Sequence, residues 1–309
     1  MPRALVFPGQ GAQYVGMGVE LAQRFPSARH LLDEADRALG FALSDIMANG
    51  PEADLTRTDV SQPAILVASA MALAVAQEAM KPLTCGAVAG LSLGEYSALY
   101  AAGSLSFPDA VRLVRLRGEA MQAAADAVPG GMVALIGADE ASAAKLCAEA
   151  ANGEVLAVAN LNSPGQVVIS GARGACVRAT ELAKNHGIRR AMSLPVAGAF
   201  HSPLMAPAAD RLRAALAGVT LKDPQWPVYT NVTAKPVTSA AEVPALLVAQ
   251  LTSPVRWADS VVAMHAAGFD EFLELGPGKT LGGMISRTVK DVRCRNLDTA
   301  ADVNALVAG

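Results

Sequence analysis

A short apolar segment at residues 86–90 runs directly into the pentapeptide GLSLG at residues 90–94, and a helical pattern follows up to about Ala102. This order of strand, tight turn and helix exposes a serine above a sheet, because flanking glycines remove the Cβ atoms that would otherwise collide. The helix start then offers free N–H groups and a positive dipole end to an oxyanion. The pattern predicts an α/β fold with Ser92 as candidate nucleophile, although the pentapeptide alone also occurs in ordinary loop turns.

The composition excludes several classes of protein. Hydrophobic residues make up 52% of the 309 residues and charged residues 17%, so the chain can bury enough apolar surface to offset its ordering entropy. The formal charge of −3 predicts neither a nucleic-acid partner nor an anionic lipid surface. Without a run of about 18 uninterrupted apolar residues or a secretory signal pattern, we expect no membrane span and a cytoplasmic location.

The cysteines do not form a recognisable metal or disulfide framework. None belongs to a CxxC pair, and no histidine lies at zinc-finger spacing. We therefore expect separate buried thiols in a reducing compartment and no metal site. The four are Cys85, Cys147, Cys176 and Cys294.

The order of predicted elements changes in the middle of the chain. Residues 128–197 read β-α-β-β-α-β, which is the order of a ferredoxin-like unit. The remainder, residues 1–127 and 198–309, alternates strands and helices, so we predict a larger α/β domain into which the small one is inserted. Within the larger domain, Ser61 and Pro63 predict the start of a long helix, with the serine as cap and the proline in the first turn.

Among the four histidines, His201 is the candidate general base. His30 and His265 fall in helical stretches, and His186 at a helix end, where a solvated or capping role is sufficient. His201 instead lies in the sequence GAFHSP at residues 198–203, a loop that leads into a helix. Such loops carry active-site groups, but a satisfied structural histidine remains an alternative.

Two further polar residues have settings that suggest a role in binding. Arg117 falls on the apolar stripe of a helix predicted over about residues 108–125, so its buried charge needs an anionic partner. That partner is either a structural carboxylate or a substrate carboxylate, which the planar guanidinium binds bidentately. Gln10 lies in a Gly-Gln-Gly turn that would point an amide N–H into a site, although a plain loop is the simpler interpretation.

Together these motifs resemble those of malonyl-CoA:acyl carrier protein transacylases, in matching order from about residue 4 to residue 285. The motifs are FPGQGAQ at 7–13, GLSLGE at 90–95, Arg117, NLNSPGQ at 160–166, GAFHS at 198–202 and ELGPG at 274–278. The resemblance implies a hydrolase-like α/β domain with an inserted ferredoxin-like (βαββαβ) domain. It also implies that Ser92 is the acylated nucleophile, His201 its general base and Arg117 the partner of the malonyl carboxylate.

The resemblance implies roles for four further residues. Gln10 and the backbone N–H of Leu93 would form the oxyanion hole, and the main-chain carbonyl of Gln250 would orient the histidine. From the residues alone, Gln250 is an ordinary polar residue at a helix end. Phe200 would resist a methyl branch on the substrate. Two departures from related sequences are Leu91, where polyketide acyltransferases often carry His, and Gly198, which replaces the first residue of a His-Ala-Phe-His string.

The activity implied is transfer of malonyl from malonyl-CoA to the phosphopantetheine thiol of acyl carrier protein, through a malonyl-serine, in fatty acid biosynthesis. No metal or bound cofactor is implied, and a monomer is expected by default. Alternatives are a discrete polyketide-synthase malonyltransferase, a malonate decarboxylase subunit, a serine hydrolase or thioesterase, and a non-enzymatic carrier-binding subunit. The candidate contacts for an acidic carrier protein are two basic groups, Lys184 with Arg189 and Arg190, or Arg287 with Lys290.

Overall fold

The computed structural model describes residues 3–307, so the outermost residues of the larger predicted domain, 1–2 and 308–309, lie outside the described residues. Ten strands form two sheets, one of six strands and one of four. Their bounds are β1 Arg3–Phe7, β2 Ala87–Gly90, β3 Gly130–Ile136, β4 Leu156–Ser163, β5 Gln166–Ala172, β6 Arg190–Ser193, β7 Val228–Tyr229, β8 Pro236–Val237, β9 Glu271–Leu275 and β10 Arg293–Leu297.

Helices surround both sheets and connect most of the strands. Short 3₁₀ turns cover Ala183–His186, Pro203–Met205 and Ala240–Glu242. The α-helices are α1 Val19–Arg24, α2 Pro26–Leu39, α3 Leu43–Asn49, α4 Glu52–Thr56, α5 Thr58–Ala79, α6 Gly94–Ala101, α7 Phe107–Ala127, α8 Glu140–Ala151, α9 Arg173–Leu182, α10 Ala206–Leu216, α11 Val243–Gln250, α12 Trp257–Ala266, α13 Thr280–Thr288 and α14 Ala300–Val307.

The six-stranded sheet has the order β10-β9-β1-β2-β7-β8, and only β7 and β8 pair antiparallel. Its central strands are buried on both faces, which is why their sequences are nearly continuous apolar runs. Alternate side chains serve different cores: Leu5 and Val88 pack in one cluster, whereas Val6 and Ala89 pack in the other. The carboxyl ends of β1 and β2 therefore meet at one edge of a rigid layer.

The four-stranded sheet has the order β4-β5-β3-β6, and all of its pairs are antiparallel. Along the chain its elements run β3-α8-β4-β5-α9-β6, as the sequence predicts for residues 128–197. A separate core cluster joins one face of this sheet to α8 and α9. The described chain is thus a mixed α/β fold with two sheets, in agreement with the predicted fold class.

The long helix α5 starts earlier than the sequence predicts. It begins at Thr58 rather than Ser61, so Pro63 lies inside the helix and not in its first turn. A proline there leaves the carbonyl four residues earlier without its helical donor. That carbonyl, Asp59 O, accepts a hydrogen bond from Nη1 of Arg115 on α7 at 2.7 Å. A contact between distant parts of the chain therefore permits a proline that local rules place at a helix start.

Two features of burial qualify the sequence analysis. By length and mean hydropathy of 1.5, α5 could cross a membrane, but 94% of its apolar window is buried inside the fold. The four cysteines are free thiols, yet only Cys147 and Cys176 are buried. Cys85 and Cys294 are half-buried, so the expectation of four buried thiols is wrong for these two.

Candidate active site

The serine predicted as nucleophile lies on a sharp turn between β2 and α6. Ser92 has a φ of +52°, in the left-handed region that a non-glycine residue rarely adopts. A Cβ atom on Gly90 would lie 1.9 Å from the Gly94 carbonyl carbon, and one on Gly94 would lie 2.1 Å from the Phe7 carbonyl oxygen. Both glycines of the pentapeptide are therefore required by close backbone contacts, and the predicted strand, turn and helix are present.

Ser92 and His201 form a hydrogen-bonded pair. Ser92 Oγ lies 2.8 Å from His201 Nε2, and His201 Nδ1 lies 2.8 Å from the carbonyl oxygen of Gln250. A carbonyl can only accept, so Nδ1 carries the proton and Nε2 is free to accept the serine hydroxyl. Burial of the ring and the charge of Arg117 lower the pKa of His201 to about 4. The imidazole is therefore neutral near pH 7 and can take a proton from Ser92.

Arg117 is buried beside this pair and contacts neutral groups. Its side chain is 1% exposed, with Nη2 lying 3.0 Å from both Ser92 Oγ and Gln250 Oε1 and Nη1 lying 2.7 Å from Gln62 Oε1. The guanidinium also lies over the ring of Tyr96, 5.4 Å from its centroid. Within residues 3–307 it forms no ion pair, and the carboxyl that acts on its charge, the buried Glu95, does so without direct contact. Amide oxygens and an aromatic face solvate the charge instead.

A cavity of about 1020 Å³ opens onto the serine and histidine. Of the residues predicted for the site, Gln10, Ser92, Phe200 and His201 line it. Arg117 and Gln250 do not, but they contact Ser92 and His201 directly. The rest of the wall comes from both sheets and from α4, α7 and α13, and it includes Leu91, Met121, Met132, Asn160, Asn162, Val168, Leu194 and Met284.

Leu93, predicted to supply an oxyanion donor, directly precedes α6. Its side chain is 1% exposed and belongs to the larger core cluster. Within the described part of the chain its backbone N–H donates to no backbone or side-chain acceptor. A free N–H one residue after Ser92 has the placement that an oxyanion donor needs.

The sequence analysis did not identify Asn231, whose side chain holds the turn between β2 and α6. Asn231 Oδ1 accepts from the Ser92 N–H at 2.6 Å, and Nδ2 donates to the Gly90 carbonyl at 2.7 Å. The residue follows β7, which pairs with β2. Polar residues just after neighbouring parallel strands meet at one edge of the sheet. The sequence predicts a strand over residues 227–231 (PVYTN), and the polar residue at its carboxyl end, Asn231, is the signal that could have revealed it.

Glu95 and Gln62 are two further residues that the sequence analysis left without a role. Glu95 is 2% exposed, and its Oε2 accepts from the Asn231 N–H and from Gln250 Nε2, both at 2.9 Å. Burial raises the pKa of Glu95 to about 7. Gln62 lies between Ser61 and Pro63, where the sequence predicts a helix start. Because α5 begins earlier, at Thr58, Gln62 lies inside the helix and its side chain accepts a hydrogen bond from Arg117.

The other histidines lie outside the cavity wall and pair with carboxylates. His186 Nε2 lies 2.8 Å from Glu149 Oε2, and His265 Nδ1 lies 2.9 Å from Asp270 Oδ1. His30 is exposed, 3.8 Å from Glu34. Among residues 3–307, no group of three or more His, Cys, Asp or Glu side chains is placed to hold a metal ion.

Comparison with known proteins places this geometry in a family. A family model described as an acyl transferase domain matches residues 4–307. A curated malonyl CoA-acyl carrier protein transacylase of Salmonella typhimurium is 45% identical over 302 residues, which cover 98% of this chain and 97% of that protein. An acyl carrier protein S-malonyltransferase from Vibrio cholerae has a similar crystal structure, with a TM-score of 0.95 and 42% identity over 99% of this chain and 100% of that one.

A third relative was solved with a partner bound. It is a malonyl-transacylase in complex with a type II PKS acyl-carrier protein, with a TM-score of 0.95 and 41% identity over 100% of this chain and 99% of that one. The match of the family model and the identity to curated relatives both extend over nearly the whole chain. The chain therefore belongs to the acyl transferase family and, within it, to the malonyl CoA-acyl carrier protein transacylases.

Proposed function

We propose that the protein transfers a malonyl group from malonyl-CoA to the phosphopantetheine thiol of acyl carrier protein in fatty acid biosynthesis. The observation that carries the proposal is the buried guanidinium of Arg117, which lies 3.0 Å from Ser92 Oγ and is solvated by neutral oxygens. A cation placed beside a nucleophile favours an acyl group that brings its own carboxylate. Malonyl meets this requirement, whereas acetyl does not.

In the first half of the reaction, His201 Nε2 accepts the Ser92 proton while Oγ attacks the thioester carbon of malonyl-CoA. The side-chain N–H of Gln10 and the backbone N–H of Leu93 donate to the developing oxyanion, and one such donor is worth about 3–4 kcal/mol in acyl transfer. The tetrahedral intermediate then breaks its C–S bond. The CoA sulfur leaves with the proton held by His201, and malonyl-Ser92 remains.

In the second half, the carrier's thiol gives its proton to His201 and attacks the ester carbon of malonyl-Ser92. Breaking the C–O bond returns the proton to Ser92 Oγ and releases the malonylated carrier. The main-chain carbonyl of Gln250 supports His201 in both halves, because its bond to Nδ1 keeps Nε2 directed at the serine.

Arg117 and Phe200 are the proposed selectivity groups. One methylene separates the malonyl carboxylate from the ester carbon, so the carboxylate stays within reach of a guanidinium that contacts Ser92 Oγ. A site built around a charged partner strongly rejects an analogue without the charge. Phe200 is 5% exposed and lines the cavity, where its ring would restrict a methyl-branched malonyl group.

A polyketide setting is the second candidate function, because the relative solved with a carrier protein is named for a type II PKS carrier. The chemistry at Ser92 is identical in the two settings. They differ in the carrier that accepts the malonyl group, so parallel assays with a fatty-acid carrier and a type II PKS carrier distinguish them.

The remaining parts of the proposal concern the setting of the enzyme. The mechanism uses only residues of the chain, so we propose a cofactor-free and metal-free enzyme, monomeric and cytoplasmic, where malonyl-CoA and carrier protein are available. We propose residues 128–197 as the inserted domain and residues 1–127 with 198–309 as the catalytic one, supported by the separate sheet and core cluster of the former. The proposed carrier contacts are exposed and comprise Lys184, Arg189 and Arg190, or Arg287 and Lys290.

The test is intact mass of the full chain after brief exposure to malonyl-CoA, with Ser92→Ala as control. We expect a malonyl adduct on the wild type, none on the variant, and loss of the adduct on addition of the phosphopantetheine-bearing carrier. Rapid loss of the adduct in water without carrier would favour a serine hydrolase or thioesterase. Failure of Ser92 to label would favour a non-enzymatic carrier-binding protein.

A further inference from the structure

Glu95 is a buried carboxyl that forms no direct ion pair with any described residue, although the nearby charge of Arg117 opposes the rise of its pKa on burial. It lies in the first turn of α6, three residues after Ser92, and is 2% exposed. Within residues 3–307 it forms no ion pair, and both of its hydrogen bonds are accepted by a single oxygen, Oε2. Burying a carboxyl without a paired cation is unfavourable. Its two donors, Asn231 and Gln250, both contact the site described above.

The Asn231 branch reaches the nucleophile. The Asn231 backbone N–H donates to Glu95 Oε2, and this bond fixes the position of the asparagine. Its side chain then holds the turn between β2 and α6 by accepting from the Ser92 N–H and donating to the Gly90 carbonyl. Ser92 holds a positive φ, a conformation that persists only where surrounding contacts enforce it. Glu95 therefore supports the residue that enforces this conformation.

The Gln250 branch reaches the base and the guanidinium. Gln250 Nε2 donates to Glu95 Oε2 and to the Ser92 carbonyl at 3.0 Å. Because these acceptors fix the amide nitrogen, the amide oxygen must face Arg117 Nη2. The main-chain carbonyl of the same glutamine accepts from His201 Nδ1. One residue thus orients both the base and the cation, and Glu95 holds its side chain.

We propose that Glu95 is a positioning residue that holds Ser92, His201 and Arg117 in one reactive geometry by fixing Asn231 and Gln250. The inference rests on the malonyl transfer proposed above. It assigns a role to a side chain that touches neither the substrate cavity nor any reacting atom.

Hydrogen bonding, rather than charge, is the property that this role needs. Burial raises the pKa of Glu95 to about 7, so the carboxyl is only partly ionised near neutral pH. Since both donors go to Oε2, a glutamine can place its carbonyl oxygen there and keep both bonds. An aspartate keeps the carboxyl but withdraws it by one methylene, so it cannot reach both donors. The two substitutions therefore separate geometry from charge.

The experiment compares wild type with Glu95→Gln, Glu95→Asp and Glu95→Ala as full-length proteins. The measurements are kcat and KM for malonyl-CoA and for acetyl-CoA, with the phosphopantetheine-bearing carrier as acceptor, together with melting temperature. We expect Glu95→Gln to recover malonyl kcat to within about threefold. Glu95→Asp and Glu95→Ala should lose about 10- to 100-fold in kcat with KM within about threefold. Glu95→Asp and Glu95→Ala should also lower the ratio of kcat/KM for malonyl-CoA to kcat/KM for acetyl-CoA, because the Gln250 amide no longer orients Arg117.

A matched control is Glu274→Gln. Glu274 is also buried, at 1% exposure, but its bonds go to the N–H groups of Leu281 and Gly282 at the start of α13. Neutralising it reports the general cost of changing a buried glutamate, and we expect the malonyl-over-acetyl ratio to stay at the wild-type value.

Two results would overturn the inference. One is a Glu95→Asp variant that is as active as Glu95→Gln or more so, because charge would then matter more than geometry. The other is a parallel loss with both substrates and an unaltered ratio, which is what a merely structural role produces. If Glu95→Ala does not fold, the order of the other two variants still decides. Absence of a malonyl adduct on wild-type Ser92 would instead refute the proposed function itself.

Discussion

The two sheets contribute to the site in different ways. In the parallel sheet, Ser92 follows β2 and Gln10 lies just beyond β1, so the strand ends carry the proposed nucleophile and a proposed oxyanion donor. The antiparallel sheet supplies cavity wall, including Met132, Asn162 and Val168. Parallel strands direct their carboxyl ends to one edge, which concentrates polar loop residues there, whereas the face of an antiparallel sheet offers a broad surface. We therefore expect substitutions in the wall of the antiparallel sheet to alter substrate binding more than the reaction.

The largest effect that tests this division is expected at Ser92. Ser92→Ala removes the nucleophile on which both half-reactions depend, so kcat should fall by at least about 10⁴-fold. Rapid-quench labelling with malonyl-CoA measures it, with melting temperature as the control for folding. A variant that kept more than a few per cent of wild-type transfer would show that the parallel sheet does not supply the reacting atom.

The next largest effect is expected at Arg117. Arg117→Ala removes the cation proposed for the malonyl carboxylate, which should cost about 3–5 kcal/mol, or about 10²- to 5 × 10³-fold in kcat/KM for malonyl-CoA. Activity on acetyl-CoA should rise relative to activity on malonyl-CoA, because acetyl has no carboxylate and does not depend on the Arg117 guanidinium. An unaltered malonyl-over-acetyl preference would contradict the proposed binding role.

A smaller effect, of a different kind, is expected from the antiparallel sheet. Asn162 lines the cavity at 7% exposure, and its Oδ1 has no hydrogen-bond partner within the described residues. If that oxygen accepts from bound substrate, Asn162→Ala should raise KM for malonyl-CoA about fivefold with little change in kcat, since one hydrogen bond is worth about 1 kcal/mol. Asn185→Ala, an exposed substitution outside the cavity wall, is the control. A loss confined to kcat would contradict the division between the sheets.

The smallest effect is expected from pH. The pKa of His201, lowered to about 4 by burial and by Arg117, means that the base stays neutral as pH falls from 8 to 5. Single-turnover acylation of Ser92 should be flat over this range and fall by half near pH 4, because a protonated imidazole cannot accept the serine proton. Circular dichroism at each pH monitors folding. A midpoint near 6.5, the ordinary value for histidine, would show that burial and the charge of Arg117 do not lower the pKa of His201.

Much of the fold followed from local patterns. The apolar segment at 86–90 became a central strand, and the element order over 128–197 was confirmed. The terminal strand β10, with the sequence RCRNL, was not predicted because its charged residues do not read as an apolar or alternating segment. β10 forms because its backbone pairs with β9 at the edge of the sheet, and that partner is present only once the sheet has assembled.

The site divides in the same way. Ser92 was proposed from its own turn and helix and His201 from its loop setting, since both signals are local, and the structure brings the two side chains within hydrogen-bond distance. The partners of Arg117 were not found, because Gln62 and Gln250 lie 55 and 133 residues away in sequence. Asn231 and Glu95 were missed because their partners are also distant in sequence: Asn231 lies 139 residues from Ser92, and Glu95 lies 155 residues from Gln250.

The amino-acid order alone predicted where this chain turns sharply and which serine that turn presents, because glycines at 90 and 94 flank Ser92 between a strand and a helix. Tertiary structure decided what surrounds the serine. Packing α7 against α5 and bringing α11 to the end of β2 gave Arg117 amide oxygens in place of a carboxylate, and gave Glu95 two donors. The contacts that require glycine at position 90 come from Gly94 and Glu95, which are near in sequence, whereas the solvation of a buried charge depends on the groups that the complete fold brings within hydrogen-bond distance of it.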